Sequence, residues 1–303
     1  MKILLIGGSG QLGLEFLSLK IPNNLSFLSP DSNQLDIRNR VQIKNFVEKY
    51  NPDIVLNFSA YTNVNKAEEN LEDCLEINHL GVKNLVTCLN NRSIPLIHIS
   101  TDYVFGMYDK GPYNALDKRG SVNNYGYSKL LGEDEIIKFS KKAIIIRTAS
   151  LYGLFGDNFF KSFFKTLNEK KEMRVINDQK ISLTWSYDLS ICILDLLKKI
   201  ERSKSWKDKN SIDIIHLTNK GYTSWFQVAK IISDSINNKK YKKDITKVHP
   251  IKAIDWKNSA ERPSDSRLAS SNIVDGLDII EMPLWRDSLE KAIKIYLKGK
   301  IYE

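Results

Sequence analysis

Cysteine is scarce in this chain of 303 residues, where Cys74, Cys88 and Cys192 stand alone. They are odd in number and lack metal-site spacing, which excludes a disulfide framework and predicts three reduced structural thiols. The four histidines are equally dispersed, and His98, inside the apolar run PLIHIS, reads as a packed strand residue. No apolar run approaches the ~20 residues needed to cross a bilayer. The opening MKILLIGGSG resembles a leader, but glycines interrupt its apolar stretch at once. A buried first strand accounts for it, and the cytoplasm is the expected location. Acidic residues are outnumbered 36 to 45, giving a net charge of +9. The excess is spread along the chain, and clusters such as residues 198–209 read as solvated helix ends. A nucleic-acid partner is therefore not expected, whereas a general attraction for anionic small molecules is. Repeats and low-complexity tracts are lacking too.

What is present describes a globular chain, with 42% hydrophobic and 27% charged residues. Its length suits one large α/β domain or two unequal lobes. Short apolar runs at residues 2–6, 25–28, 54–58, 94–100 and 143–148 read as strands. Amphipathic stretches at 11–19, 41–50, 67–90 and 126–140 read as helices, the third long enough for two segments. The strands are almost continuously apolar, so both faces are expected to be buried. That predicts an α/β protein with a Rossmann-type doubly wound parallel sheet. After residue 150 loops lengthen and only 213–217 looks like a further sheet strand. The expected division is an NAD(P)-binding domain at 1–150 plus about 184–218. A smaller α/β substrate-binding lobe takes 151–183 and about 219–303, with a cleft between the two.

GGSGQLG follows the first strand, with Gly7, Gly10 and Gly13 spaced G-x-x-G-x-x-G. The turn needs positive φ, Gly10 must admit a pyrophosphate, and Gly13 must let the helix approach the sheet. The diphosphate then meets free N–H groups at the helix start. The position after a strand and before a helix makes the pattern meaningful. At the end of the second strand, in LSPDS, Ser29 holds the place that selects the cofactor. A hydroxyl there accepts a 2′-phosphate, which favours NADPH with NADH as the alternative. Asp36 and Ile37 are the expected adenine contacts, or else an ordinary loop acid and a core residue.

NNYGYSK opens the fourth amphipathic stretch. Tyr125 and Lys129 are four apart and share a helix face, whereas Tyr127 points away. A free phenol ionises near ~10. A nearby ammonium and a cationic nicotinamide would favour its anion and make it a usable general acid. Upstream, HISTDYVFG puts Ser100 and Thr101 at the end of the fourth strand, where ligands of such sheets bind. YxxxK, a strand-end hydroxyl and the N-terminal glycine loop are specific only in combination.

With GGSGQLG, PDIVLNFSAYTNVNKAE, INHLGVKNL, STDYVFG, YGYSKLLGE, VINDQ and ERPSDSRL, the chain resembles the dTDP-4-dehydrorhamnose reductase family along nearly its whole length. That family lies within the extended short-chain dehydrogenases/reductases. The resemblance implies that Tyr125 is the proton donor, that Lys129 binds the nicotinamide ribose and tunes Tyr125, and that Thr101 orients the sugar ketone. It implies that Ser9, Gly10, Gln11 and Leu12 touch the pyrophosphate, and Ala60, Tyr61 and Thr62 the cofactor beyond the third strand. Hydride would pass from the nicotinamide to the sugar's C4 carbonyl. A nucleotide sugar is the implied partner. Asp102 and Ser150 are expected beside it, and Arg262 and Arg267 at its diphosphate, since forked guanidinium donors suit phosphate oxygens. No metal is expected in the site. The family includes homodimers with an interface metal, and Glu15 aligns with one contributor, although a helix-surface acid is the simpler reading.

Two departures fall on the sugar side. Ser150, in TASLYG, stands where the family usually has a tryptophan, and NDQKISLTW lacks the usual Gly and Pro. Dehydration would need a second acid after Asp102, and Tyr103 is there instead. An epimerase, another sugar-nucleotide enzyme or a non-catalytic NADP-binding regulatory subunit remain the alternatives to a reductase.

Overall fold

The computed structural model describes the chain except residues 109, 171, 205, 207–209, 238–246, 257–259, 272, 275 and 300–303. Parts of the basic run at 198–209 and of the smaller lobe therefore lie outside the described residues.

Five-residue strand β1 (Lys2–Ile6) leads into α1 (Gln11–Leu17), and β2 (Ser26–Leu28) into α2 (Arg40–Tyr50). After β3 (Ile54–Asn57) come α3 (Val64–Glu69), α4 (Leu71–Leu75), a π-helical turn at Glu76–Leu80 and α5 (Gly81–Asn90). Next are β4 (Leu96–Thr101), α6 (Asn124–Phe139) and β5 (Ala143–Thr148). The chain continues through β6 (Leu151–Tyr152), α7 (Phe159–Glu169), β7 (Glu172–Ile176), β8 (Thr184–Trp185) and α8 (Ser186–Arg202). It closes with β9 (Ile212–His216), α9 (Trp225–Asn237), β10 (Lys247–Ile251) and α10 (Trp285–Leu297).

The six-stranded parallel sheet runs β2-β1-β3-β4-β5-β9. Alternation explains why its strands read as unbroken apolar runs. Ile3, Leu5, Ile54, Leu56, Ile144 and Ile146 point into one core with α1 and α8. Leu4, Ile6, Val55, Ala143 and Ile145 point into the other with α2, α5 and α6. Both faces are covered, the condition for a doubly wound parallel sheet. Strand order reverses between β1 and β3, so the crevice for a ligand opens at the carboxyl ends of those strands. A third core joins Tyr152, Phe160, Phe164 and Trp185 to Val228, Ile232, Leu289 and Ile293 from the later helices.

The expected helix at 67–90 is broken. Asn70 ends α3 and its side chain caps α4, because an amide competes with the helix for its own backbone. The π turn that follows places Asn78, 1% exposed, against the loop after β3. There Asn78 Oδ1 accepts from the Tyr61 N–H at 2.9 Å, and its Nδ2 donates to the Tyr61 carbonyl at 3.0 Å and to Ser128 Oγ at 2.9 Å. Glu15 is also unlike its expectation as a surface acid. It is fully buried, with the Ser186 hydroxyl on its Oε2 at 2.7 Å, because α8 packs over α1.

Candidate active site

A cavity of about 890 Å³ opens at the switch point, and its wall gathers residues from the first five sheet strands' ends. At one end lie Gly7, Ser9, Gly10, Gln11 and Leu12, with Asp36, Ile37 and Arg38 beside them. In the middle lie Ala60, Tyr61 and Thr62. At the other end lie Thr101, Asp102, Tyr125, Lys129 and Ser150. The residues expected to bind cofactor, proton chemistry and sugar thus share one space, with three exceptions and Gly13.

Gly7 sits at φ +85, and a Cβ there would lie 2.4 Å from the Ser59 nitrogen. At Gly13 a Cβ would lie 2.4 Å from the Gly7 carbonyl oxygen. The protein itself demands these two glycines, for strand–loop and loop–helix approach. Gly10 is different: a Cβ would meet nothing nearer than the Gly7 oxygen at 3.4 Å. The protein's own atoms make no such demand there, and the space in front of the α1 N-terminus is open, as a dinucleotide diphosphate would need. Gly10→Ala is therefore expected to fold with little change in melting temperature and to weaken dinucleotide binding at least about tenfold, the worth of one diphosphate contact. Fluorescence titration against thermal melting reads the two separately, and unchanged affinity refutes the cradle.

Ser29, Arg262 and Arg267 are the exceptions. Ser29 packs its Oγ against Gly8 beneath the loop, so close that a Cβ on Gly8 would overlap it. Arg38 instead lines the cavity beside Asp36, whose carboxylate it holds at 2.7 Å and keeps below the usual range through their hydrogen bonds. The signal was in the sequence, in the triplet of Asp36, Ile37 and Arg38. Arg267 is engaged by Asp265 at 2.7 Å and by the Gly111 carbonyl at 2.6 Å, away from the cavity. Arg262 donates from Nη2 to Asn65 at 3.2 Å, and its Nη1 is buried without a hydrogen-bond partner. It also faces Tyr103, which does line the cavity.

α6 begins where Asn123 Oδ1 accepts the Gly126 N–H at 2.8 Å. That cap sets the helix phase. Tyr125 and Lys129 then face inward, and Tyr127 is 47% exposed. Tyr125 hydrogen-bonds Thr101, and its ring meets Tyr103 edge-on at 6.0 Å. Burial pushes the phenol well up, against the weaker lowering from Thr101, while Asp102 raises it further. In the free chain desolvation thus outweighs what lowers the phenol. A phenol so placed stays protonated in the free chain. Lys129, 1% exposed, is pulled down to about 8 by burial, with Glu133 and Cys74 opposing. Its Nζ donates to the Ile99 carbonyl at 2.7 Å and lies 3.1 Å from His98 Nε2.

Burial also pushes the Asp102 carboxyl up to about 7, against hydrogen bonds from Ser266 and Thr101 that lower it. The folded form thus holds this proton to higher pH than the unfolded chain does. Stability is lost as pH rises between about 4 and 7. Asp102→Asn should match the parent near pH 4 and exceed it increasingly up to pH 7, by about 4 kcal/mol at most. Denaturant melts at pH 4.5 and 8 check this, and a pH-independent difference contradicts it.

The wall left open by Ser150, itself at φ 42, is not bare. Phe159 and Trp225 line the same cavity, ring centroids 4.6 Å apart and edge-on. They come from α7 and α9, and no local pattern joins residues so distant. Among the described residues there is no group of three or more His, Cys, Asp or Glu side chains placed to hold a metal ion, and no helix is long and apolar enough to cross a membrane.

A doubly wound sheet with a glycine cradle at one end of its crevice and Thr101, Tyr125 and Lys129 at the other defines a Rossmann-type oxidoreductase of the short-chain dehydrogenase/reductase class. Within that class the chain belongs to the family described as RmlD substrate binding domain, whose family model matches residues 1–298. It is 29% identical over 296 residues to dTDP-4-dehydrorhamnose reductase of Aggregatibacter actinomycetemcomitans, covering 97% of this chain and 99% of that one. Among solved structures, that of a dTDP-4-dehydrorhamnose reductase ortholog from Clostridium acetobutylicum has a TM-score of 0.87 at 30% identity, covering 98% and 100% of the two chains. The dTDP-4-dehydrorhamnose reductase of Bacillus anthracis, solved in complex with NADP, has a TM-score of 0.85 at 29% identity, covering 97% and 98%.

Proposed function

We propose that this protein is an NADPH-dependent reductase of the 4-keto group of a dTDP-activated deoxysugar, acting as a dTDP-4-dehydrorhamnose reductase. The observation that carries the reading is one cavity holding a dinucleotide cradle at Gly10 and a protonated, Thr101-bonded Tyr125 at the far end. When bound, the nicotinamide supplies the hydride. Thr101 and Tyr125 hold the ketone oxygen, and Tyr125 delivers the proton as charge develops there. Lys129 meets the ribose from the floor of the cavity. Arg38 and Lys129 are the cations of that wall among the described residues. Arg38, at the Asp36 end, is positioned for a 2′-phosphate, which supports NADPH over NADH.

On the sugar side we assign Asp102 and Ser150 to the hexose, with Phe159 and Trp225 as its apolar wall. Arg262, with a free buried Nη1, is the better diphosphate ligand, since Arg267 is already occupied. The smaller lobe, 151–183 and about 219–303, supplies Phe159, Trp225 and Arg262, and the reaction belongs in the cytoplasm. The test is loss of NADPH absorbance with enzymatically generated dTDP-4-dehydrorhamnose. Turnover with NADPH faster than with NADH is expected. No oxidation with this ketosugar, in a chain that binds NADPH, overturns the substrate assignment.

A further inference from the structure

Segment 260–268 carries Arg262, and the side chain of Asn123, 6% exposed, joins that segment to the start of α6. Asn123 Oδ1 accepts the Gly126 N–H at 2.8 Å, and its Nδ2 donates to the Glu261 carbonyl at 2.9 Å. The chemistry fixes which amide atom is which, because a backbone N–H only donates and a carbonyl only accepts. Capping by itself does not call for asparagine, since serine and aspartate cap a helix about as well. Neither offers a donor of this reach beside the capping oxygen. The main chain of Asn123 is held separately by Ser121, whose hydroxyl accepts the Asn123 N–H at 3.2 Å and donates to its carbonyl at 2.8 Å. The bond to Glu261 is thus an addition to the cap, made across 138 residues of chain.

What that bond fixes is the peptide plane immediately before Arg262. On the other side, Pro263 disfavours the helical region for Arg262. The proline in turn packs on Gly106, where a Cβ would lie 2.6 Å from its Cγ. With the peptide before it and the residue after it both held, the Arg262 side chain leaves the segment in a set direction. Its Nη2 reaches Asn65 Oδ1 on α3 at 3.2 Å, and its guanidinium faces Tyr103 on the cavity wall. Its Nη1 is buried without a hydrogen-bond partner. A buried guanidinium N–H is costly to leave unpaired, and an anion completes it.

We infer that Asn123 is a positioning residue for the diphosphate of the nucleotide sugar, acting through the Glu261 carbonyl on Arg262. One amide then sets both the phase of the helix that carries Tyr125 and the placement of the diphosphate ligand. The hexose ring fixes the span from its phosphate-bearing C1 to its C4 carbonyl. A diphosphate anchor held in register with Tyr125 therefore delivers the ketone to the proton donor, and an anchor that drifts does not. The inference deepens the proposed function, because it rests on Arg262 as the diphosphate ligand.

The test is equilibrium titration of the NADPH-loaded full chain with dTDP at pH 8. Asn123→Ser keeps a capping oxygen but is too short to reach Glu261. Asn123→Asp keeps the length and the cap but sets an acceptor against the carbonyl. Each is expected to weaken dTDP binding about tenfold, the worth of one hydrogen bond to a charged group, with NADPH affinity within about twofold of the parent. Arg262→Met should lose as much. Adding Asn123→Ser to it should weaken dTDP by less than about twofold more, since the two changes remove one contact. An asparagine that only supports the fold would weaken both ligands, or give losses that multiply, and either result overturns the inference. It is also overturned if a folded asparagine variant binds dTDP within about twofold of the parent while Arg262→Met is weakened, an outcome that leaves the proposed function standing. If Arg262→Met itself binds dTDP like the parent, Arg262 is not the diphosphate ligand and the inference falls with that assignment.

Discussion

Tyr125→Phe lowers kcat by about 10²–10⁴-fold, the usual worth of a positioned general acid, and leaves NADPH affinity within about twofold. The reasoning is local. The phenylalanine ring keeps the edge-on contact with Tyr103 and the helix phase set by Asn123, so only the hydroxyl bonded to Thr101 is lost. The cradle at Gly10 is at the opposite end of the cavity. Tyr127→Phe, at an exposed position on the same turn, leaves both quantities unchanged. Because burial pushes the Tyr125 phenol up, the donor stays loaded from pH 6 to 9 and its own ionisation puts no falling limb on kcat in that window. Stopped-flow oxidation of bound NADPH, with cofactor binding measured separately, checks all three statements. A Tyr125→Phe chain within threefold of the parent rate would remove Tyr125 from the chemistry.

Much of this site is legible in the sequence because its information is local. The glycine loop, Thr101 with Asp102, and Tyr125 with Lys129 each lie within one strand end or one helix turn, where spacing alone sets direction. The doubly buried strands are equally open to reading, since burial on both faces leaves no polar alternation to interpret. What escaped depends on distance or on competing local bonds. Phe159 and Trp225 are brought together by the packing of α7 and α9, with no trace in either segment. Asn70 and Asn78 interrupt a pattern whose apolar period continues straight through them. His98 was legible as a packed strand residue, and it is fully buried; its bond to Lys129 was not, because the partner lies 31 residues on. Arg267 looked like a phosphate ligand because arginine suits phosphate, yet Asp265, two residues before it, takes the guanidinium first.

Arg147→Met costs about 3 kcal/mol of stability at neutral pH, or a melting temperature lower by roughly 5–10 °C. Arg147 and Glu133 are 1% and 0% exposed, joined by two hydrogen bonds of 2.8 and 2.7 Å. Arg147 also donates to the Ala115 carbonyl at 2.8 Å and approaches His216 Nε2 at 3.3 Å. Burial alone would raise the Glu133 carboxyl; the charge and hydrogen bonds of Arg147, with Arg119 adding its own, bring it below its ordinary value. Removing Arg147 strands that carboxylate in the interior, with the partly exposed Arg119 at 3.0 Å as its remaining ion-pair partner among the described residues. Breaking a buried pair from one side is worth about 3–5 kcal/mol, and the surviving arginine puts this case at the low end. The pH dependence follows from the sign of the shift. A depressed carboxylate contributes stability above its unfolded pKa and loses it as pH falls through the folded one. In Arg147→Met that contribution is gone and Glu133 takes up a proton readily, so the deficit is largest near pH 7.5 and shrinks toward pH 4.5. Adding Glu133→Met to Arg147→Met should recover part of the loss, since no buried charge is then left alone. Urea titrations of the parent, both single variants and the double variant at the two pH values measure the coupling. A deficit below about 1 kcal/mol, or one that is the same at both pH values, would show that the pair contributes little beneath the catalytic helix.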